Sequence, residues 1–330
     1  SRNNIEYVIL DEGWSVKNEA DLMKVVPEID IAELVKYGQE RNVGIILWAG
    51  YWALQRDIEG ICKHYSEMGV KGFKVDFLDR DDQQMVRFVY DVAKIAAKYR
   101  LLIDYHGVYK PTGLQRTYPN AINFEGGHGL ETMKWLGAEH DQITYDVTIP
   151  YIRGVAGPMD YTPGIFVMDL ASVTDGRNTS WVNATIANQL ALYVTLYSPL
   201  QMAADLPEHY AQFMDAFQFI KDVDIDWIQS KYLLAEPGEY VVIARQGKKN
   251  GQWFCGGVTD DQKRSVEVPL SFLDPDKAYE ATIYRDAEDA HYKENPQAYV
   301  IEKKIVASGD TLPVTMAPGG GFAISFEEVK

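Results

Sequence analysis

Along the first two-thirds of the chain, short apolar runs alternate with amphipathic stretches. The runs 7-YVILDEGW-14, 44-GIILWAGYW-52, 71-KGFKVDFLD-79, 101-LLIDYHG-107 and 121-AINFEGG-127 each close on polar residues capable of chemistry. Between them, residues 30–42 place Ile31, Leu34 and Val35 at helical spacing. Residues 57–68 and 82–99 behave similarly, the latter with Val86, Val89, Val92 and Ile95 on one face. Gly44 and Gly69 stand where a helix stops before the next strand. This alternation predicts a parallel sheet covered by helices.

Two architectures compete: a doubly wound open sheet and a (β/α)8 barrel of the TIM type. No G-x-G-x-x-G follows the first strand, which removes the main support for dinucleotide binding and an oxidoreductase. Five successive strands end in Asp, Trp, Asp, Asp/His and Glu, and a barrel brings such ends to one face. The barrel is favoured. Helices are expected over 182–198 and 207–221. Beyond about residue 230 the pattern becomes alternating and rich in Val, Tyr, Phe and Trp, as in 239-EYVVIARQ-246, 252-QWFCGGVT-259, 264-RSVEVPL-270, 278-AYEATIYRD-286 and 322-FAISFEE-328. That predicts a small antiparallel β-sandwich domain over 231–330 after a catalytic domain over 1–230, with the boundary near 228–234.

Composition narrows the function classes. The formal net charge is −16, so phosphate backbones and anionic membranes are repelled and nucleic acid is not expected as a partner. The 21 Tyr and 7 Trp would suit a sugar-binding cleft, although they suit a core equally well. Cys62 and Cys255 lie far apart and form no disulfide or zinc pattern. No apolar run approaches transmembrane length. The start, SRNNIEYVIL, has neither an initiator Met nor a signal-peptide layout and reads as an internal cut.

Asp76 is the first candidate for chemistry. It closes an apolar run in which Lys74, two residues earlier, points to the same face. A carboxylate there is costly unless paired or used, and a nearby cation would keep it ionised as a nucleophile must be. The bland alternative is a helix cap, for which 79-DRDD-82 holds better candidates. Glu125 and Glu131, in 123-NFEGGHGLE-131, come second. A glycosidase needs two carboxyl groups, one to protonate the leaving oxygen and one to attack or to activate water. Asp76 and one of these glutamates fit that division. Glu131 also reads as an ordinary helix-start residue. Asp11, Trp14, Trp48, Asp104 and His106 recur at strand ends, where Trp could stack on a sugar and Asp or His could hold hydroxyls. Glu125 or Glu131 could hold calcium, but no EF-hand loop is present. Asn178 and Asn183 open short glycosylation sequons, and Asn183 falls in the expected helix.

Together, YVILDEGW, GFKVDF, IDYHGVYKPTG, YPNAINFEGGHGLE, GPMDYTPG and YSPLQMAAD resemble glycoside hydrolase family 97, bacterial exo-acting α-glycosidases, in the expected order over most of residues 5–225. The segment 318-PGGGFA-323 also fits. The resemblance implies a (β/α)8 barrel followed by a β-sandwich. It also implies an N-terminal β-sandwich part of the same polypeptide, and a first barrel strand and helix, that are missing from this chain. The inverting branch of the family carries a base Glu after the His of the strand following that of Asp76. Here that position is Gly107 and the preceding strand ends in Asp76, which points to the retaining branch. Asp76 then resembles the nucleophile and Glu131 the acid/base. Glu125, with Glu131, resembles a calcium site completed by the missing domain. Lys74, His106, Asp11 and Trp14, together with Trp48 and Asp104, are the substrate-contact candidates. The expected activity is release of terminal α-galactose by double displacement. A β-L-arabinopyranosidase or α-glucosidase on the same fold, and a non-catalytic carbohydrate-binding protein, are the alternatives. The family further implies a bacterial, periplasmic or secreted location.

Overall fold

The computed structural model describes residues 2–16, 19–136, 140–169, 171 and 181–329. Asn178 lies outside the described residues. The chain divides into two compact units, residues 1–127 with 156–160, and residues 128–155 with 161–330.

The first unit is built on a five-stranded parallel sheet. Its strands, Tyr7–Leu10, Gly44–Gly50, Gly72–Asp76, Leu102–Tyr105 and Ala121–Phe124, neighbour one another in chain order. Consecutive residues Ile46, Leu47 and Trp48 are all buried, as are Phe73, Lys74 and Val75, so both faces of the sheet are covered. Burying each large apolar side chain contributes about 1.5–3 kcal/mol. The helices start where side chains cap them. Asp30 accepts from Glu33 N at 2.9 Å and opens Ile31–Gln39. Asp57 does the same for Ile58–Met68, and Asp82, from the predicted 79-DRDD-82 group, for Gln83–Lys98. Ile31 and Val35 face the core, but Leu34 is 38% exposed, because the first helix is short and buries a narrow stripe. A two-stranded ribbon, Ser15–Val16 with Asp21–Val25, is an element the apolar pattern did not announce. The segment 156–160 returns to the sheet edge, where Asp160 N–H donates to Phe124 O at 2.9 Å.

The second unit holds a six-stranded antiparallel sheet. Its spatial order is Tyr299–Ala307, Ala278–Asp286, Gly321–Glu328, Trp253–Thr259, Tyr240–Gly247 and Trp227–Glu236. Arg264–Pro269 pairs with Thr311–Met316 beside it. Strands Tyr299–Ala307 and Thr311–Met316 were not foreseen, because the first carries Glu302, Lys303 and Lys304 and reads as solvated. The helix Ile186–Thr195 is buried all round and packs on this sheet. A β-carbon at Gly256 would lie 2.7 Å from Ala191 O, so the glycines of 252-QWFCGGVT-259 allow the helix to sit close. The helix is shorter than the predicted 182–198, with Thr185 as its cap, and Asn183 precedes it instead of lying within it. The stretch 207–221 likewise resolves into Pro207–Tyr210 and Met214–Asp222. The molecule is therefore a mixed α/β protein with a parallel sheet and a C-terminal antiparallel β domain.

Candidate active site

In a parallel sheet all strands end on the same edge, and here that edge gathers most of the candidates. Asp76 closes Gly72–Asp76. Both of its oxygens are engaged: Phe77 N–H donates to Oδ1 at 2.6 Å and Trp48 Nε1–H to Oδ2 at 3.0 Å. Two donors on one carboxylate hold its rotamer. Phe77 reaches this position with φ at +64°, a conformation that is an outlier for a bulky side chain. Its ring is half exposed and meets Trp48 edge-on at 5.3 Å.

Beside Asp76 lies a chain of charges running into the core. Lys74, 7% exposed, pairs with Asp11 through Nζ and Oδ2 at 2.7 Å. Burial works upward on the Asp11 carboxyl, but the Lys74 charge and hydrogen bond outweigh it and hold Asp11 below the usual carboxylate range. Asp104, His106 and Asp160 form a buried cluster. His106 Nε2 meets Asp160 Oδ2 at 2.6 Å and stands 3.7 Å from Asp104 Oδ2. Burial disfavours the imidazolium, yet the two carboxyl groups raise the His106 pKa to about 10. Asp160 is pushed up by burial and drawn down further by His106, so it carries the negative charge. Asp104 is raised well above the carboxylate range by burial and by Asp160. Glu125 follows the last strand, and its Oε2 accepts Gly107 N–H at 2.8 Å and lies 3.8 Å from His106 Nδ1.

The structure thus brings Asp11, Trp48, Lys74, Asp76, Asp104, His106 and Glu125 to one sheet edge. Trp14 is corrected in role. It is 1% exposed, donates from Nε1 to Trp48 O at 2.9 Å and packs edge-on against Tyr65, so it has no open face for a sugar. Lys74, expected beside Asp76, forms an ion pair with Asp11, and Asp76 receives hydrogen bonds from Trp48 and Phe77. Glu131 belongs to the second unit, in the single turn Leu130–Thr132, and its Oε1 lies 3.7 Å from Lys134 Nζ. Asp160 was missed as a site residue. Its signal was an Asp flanked by Met159 and Tyr161 inside 157-GPMDYTPG-164, a setting that suits burial as well as a turn.

Comparisons with known proteins identify the family. Residues 1–127 match the family model "Glycoside hydrolase 97", and residues 226–327 match "Glycosyl-hydrolase 97 C-terminal, oligomerisation". A retaining alpha-galactosidase of Bacteroides thetaiotaomicron is 49% identical over 99% of this chain and 49% of its own length. A probable retaining alpha-galactosidase of Streptomyces bingchenggensis is 32% identical over 96% of the chain and 46% of its own length. Among solved structures, a glycoside hydrolase family 97 enzyme of Pseudoalteromonas sp. strain K8 in complex with acarbose superposes with a TM-score of 0.93 at 35% identity, covering 100% of this chain and 55% of that one. The chain belongs to glycoside hydrolase family 97. It spans about half the length of the curated relatives it matches.

Proposed function

We propose that the protein is a retaining exo-α-galactosidase in which Asp76 is the nucleophile. The observation that carries this reading is the seating of Asp76: an anion at a strand end, with one donor on each oxygen. A group that must stay ionised and aimed is served by that arrangement. The similarity to a retaining α-galactosidase and to a probable one supports the sugar and the stereochemistry.

In the first step an Asp76 oxygen attacks the anomeric carbon as the glycosidic C–O bond breaks, and Glu131 gives its proton to the leaving oxygen. In the second, water attacks the same carbon, its proton passes to Glu131, and the bond to Asp76 breaks. The role of Glu131 rests on the family resemblance. Lys74 and Asp11 stand beside Asp76 as hydroxyl-holding groups, with the buried His106–Asp160 pair and Asp104 behind them. The half-exposed ring of Phe77 offers an apolar face at the same edge.

A calcium ion is proposed at Glu125 and Glu131. Both are carboxylates, the hard oxygen donors calcium takes, and their side chains are partly exposed, 16% and 29%. When bound, calcium would supply positive charge and orient a sugar hydroxyl. We further propose closure of the parallel sheet into a (β/α)8 barrel and a β-sandwich for the C-terminal domain. Unreversed strand order supports the barrel, because a doubly wound sheet reverses at a switch point. A periplasmic or secreted location is proposed from the family alone and is tested by fractionation.

The test of the activity is the anomer first released from an aryl α-galactoside, read by proton NMR. Retention predicts α-galactose. Release of β-galactose, or preferential turnover of the aryl β-L-arabinopyranoside or α-glucoside, would overturn the assignment. Binding of galactose with no turnover would favour a non-catalytic carbohydrate-binding protein.

A further inference from the structure

Gly107 stands between Asp76 and Glu125. Its N–H donates to Glu125 Oε2 at 2.8 Å. On its other side a β-carbon would lie 3.2 Å from Asp76 Oδ1, 3.2 Å from Phe77 N and 3.0 Å from Asp79 Oδ1. The first two of these atoms are the acceptor and donor of the 2.6 Å hydrogen bond that seats Asp76. A methyl group at 107 would therefore press on that bond itself. Contacts of that length force a neighbour to give by a few tenths of an ångström. The backbone at 107 has φ of +51°, a left-handed value that Asn also adopts, so the turn alone does not demand glycine. The crowding by Asp76 and Phe77 does.

We propose that Gly107 is a positioning residue for Asp76. Its missing side chain keeps open the space in which the carboxylate receives the Phe77 N–H. Its own N–H is committed to Glu125, so a single residue sets both carboxylates. This inference rests on the reading of Asp76 as the nucleophile.

The experiment compares Gly107→Ala, Asp76→Gly, the double variant and Gly113→Ala in the full-length protein. Gly107→Ala should lower kcat on an aryl α-galactoside by at least about tenfold with KM little changed, since a sub-ångström displacement of a reacting group costs rate. Gly113→Ala is the control for backbone strain: Gly113 has φ of +101° and no atom within 4 Å of an added β-carbon. It should keep wild-type kcat. In Asp76→Gly, azide replaces the carboxylate: nitrogen attacks the anomeric carbon, the C–O bond to the aryl oxide breaks, and a glycosyl azide forms. Adding Gly107→Ala to that background should leave both azide-supported turnover and galactose affinity, read by calorimetry, unchanged. A drop in either, a wild-type kcat in Gly107→Ala, or an equal loss in Gly113→Ala would overturn the proposal. An Asp76→Gly protein that turns over substrate normally without azide would overturn the nucleophile reading itself, whatever happens at position 107.

Discussion

His106 Nε2 lies 2.6 Å from Asp160 Oδ2, and neither side chain is more than 3% exposed. The two residues are 54 positions apart, and Asp160 arrives on the segment that returns to the edge of the parallel sheet. An ion pair so enclosed is weakly screened, and removing one partner strands the other. Asp160→Asn is expected to destabilise the protein by about 3–5 kcal/mol. Urea unfolding checks this through the transition midpoint. An unmoved midpoint would mean that Asp104 takes over the negative charge.

Trp48→Phe tests the seating of Asp76 from its other oxygen. The substitution keeps an aromatic ring while removing the Nε1–H donor to Oδ2, 3.0 Å away, and part of the buried indole. A hydrogen bond to a charged group is worth about 1.5–3 kcal/mol. If it is made fully in the transition state, kcat/KM should fall on the order of 10- to 100-fold. The Trp14 bond to the backbone of residue 48 does not depend on the indole and should persist. Unchanged kcat/KM would show that Phe77 N–H alone positions the carboxylate.

Asp146 supplies the pH dependence. It is 1% exposed, accepts from the Tyr161 hydroxyl and accepts from Gln142 Nε2 at 3.2 Å. Burial lifts its pKa to about 7, against the two hydrogen bonds that lower it. A carboxyl group whose folded pKa is raised stabilises the fold fully only below its unfolded pKa, about 3.9, and that stability is lost as pH rises through about 7. The wild type should therefore lose stability relative to Asp146→Asn between pH 4 and pH 7, by up to about 4 kcal/mol. Denaturant titrations of both proteins across that range provide the measurement, and a constant difference would sink the idea.

Thr185 joins a helix to the antiparallel sheet within the second unit. Its hydroxyl accepts from Asn188 N at 3.1 Å and donates to Asp286 Oδ1 at 2.6 Å. Thr185→Ala removes the cap and one of the bonds to a buried carboxylate. A loss of about 1–2 kcal/mol is expected from the cap alone. Thermal unfolding should register it as a lower Tm with the activity at room temperature retained.

Much of the fold was legible. The alternation of apolar runs with helical stripes identified the five parallel strands, because buried parallel strands read as near-continuous apolar segments. The 79-DRDD-82 group marked the start of one helix, and the alternating C-terminal segments were found within a residue or two. Strands with solvated faces were lost, as in Tyr299–Ala307, since charged alternation carries little signal of burial. Asp76 stood out in the sequence because a carboxylate closing an apolar strand needs a reason to be there.

The sequence by itself determined which residue types stand at the strand ends and, through six motifs in order, the family to which they belong. The periodicity of an apolar strand and the cost of burying a charge are local properties, and a chain read in one dimension records them. Only the tertiary structure decided which partners those residues meet. It turned Trp14 into a packing residue, gave Lys74 to Asp11, and brought Asp160 to His106 across 54 positions. It also placed the bare α-carbon of Gly107 against the carboxylate of Asp76. Such pairings arise from the folding of distant segments onto one sheet edge, and their energies depend on distance and burial that no spacing in the sequence encodes.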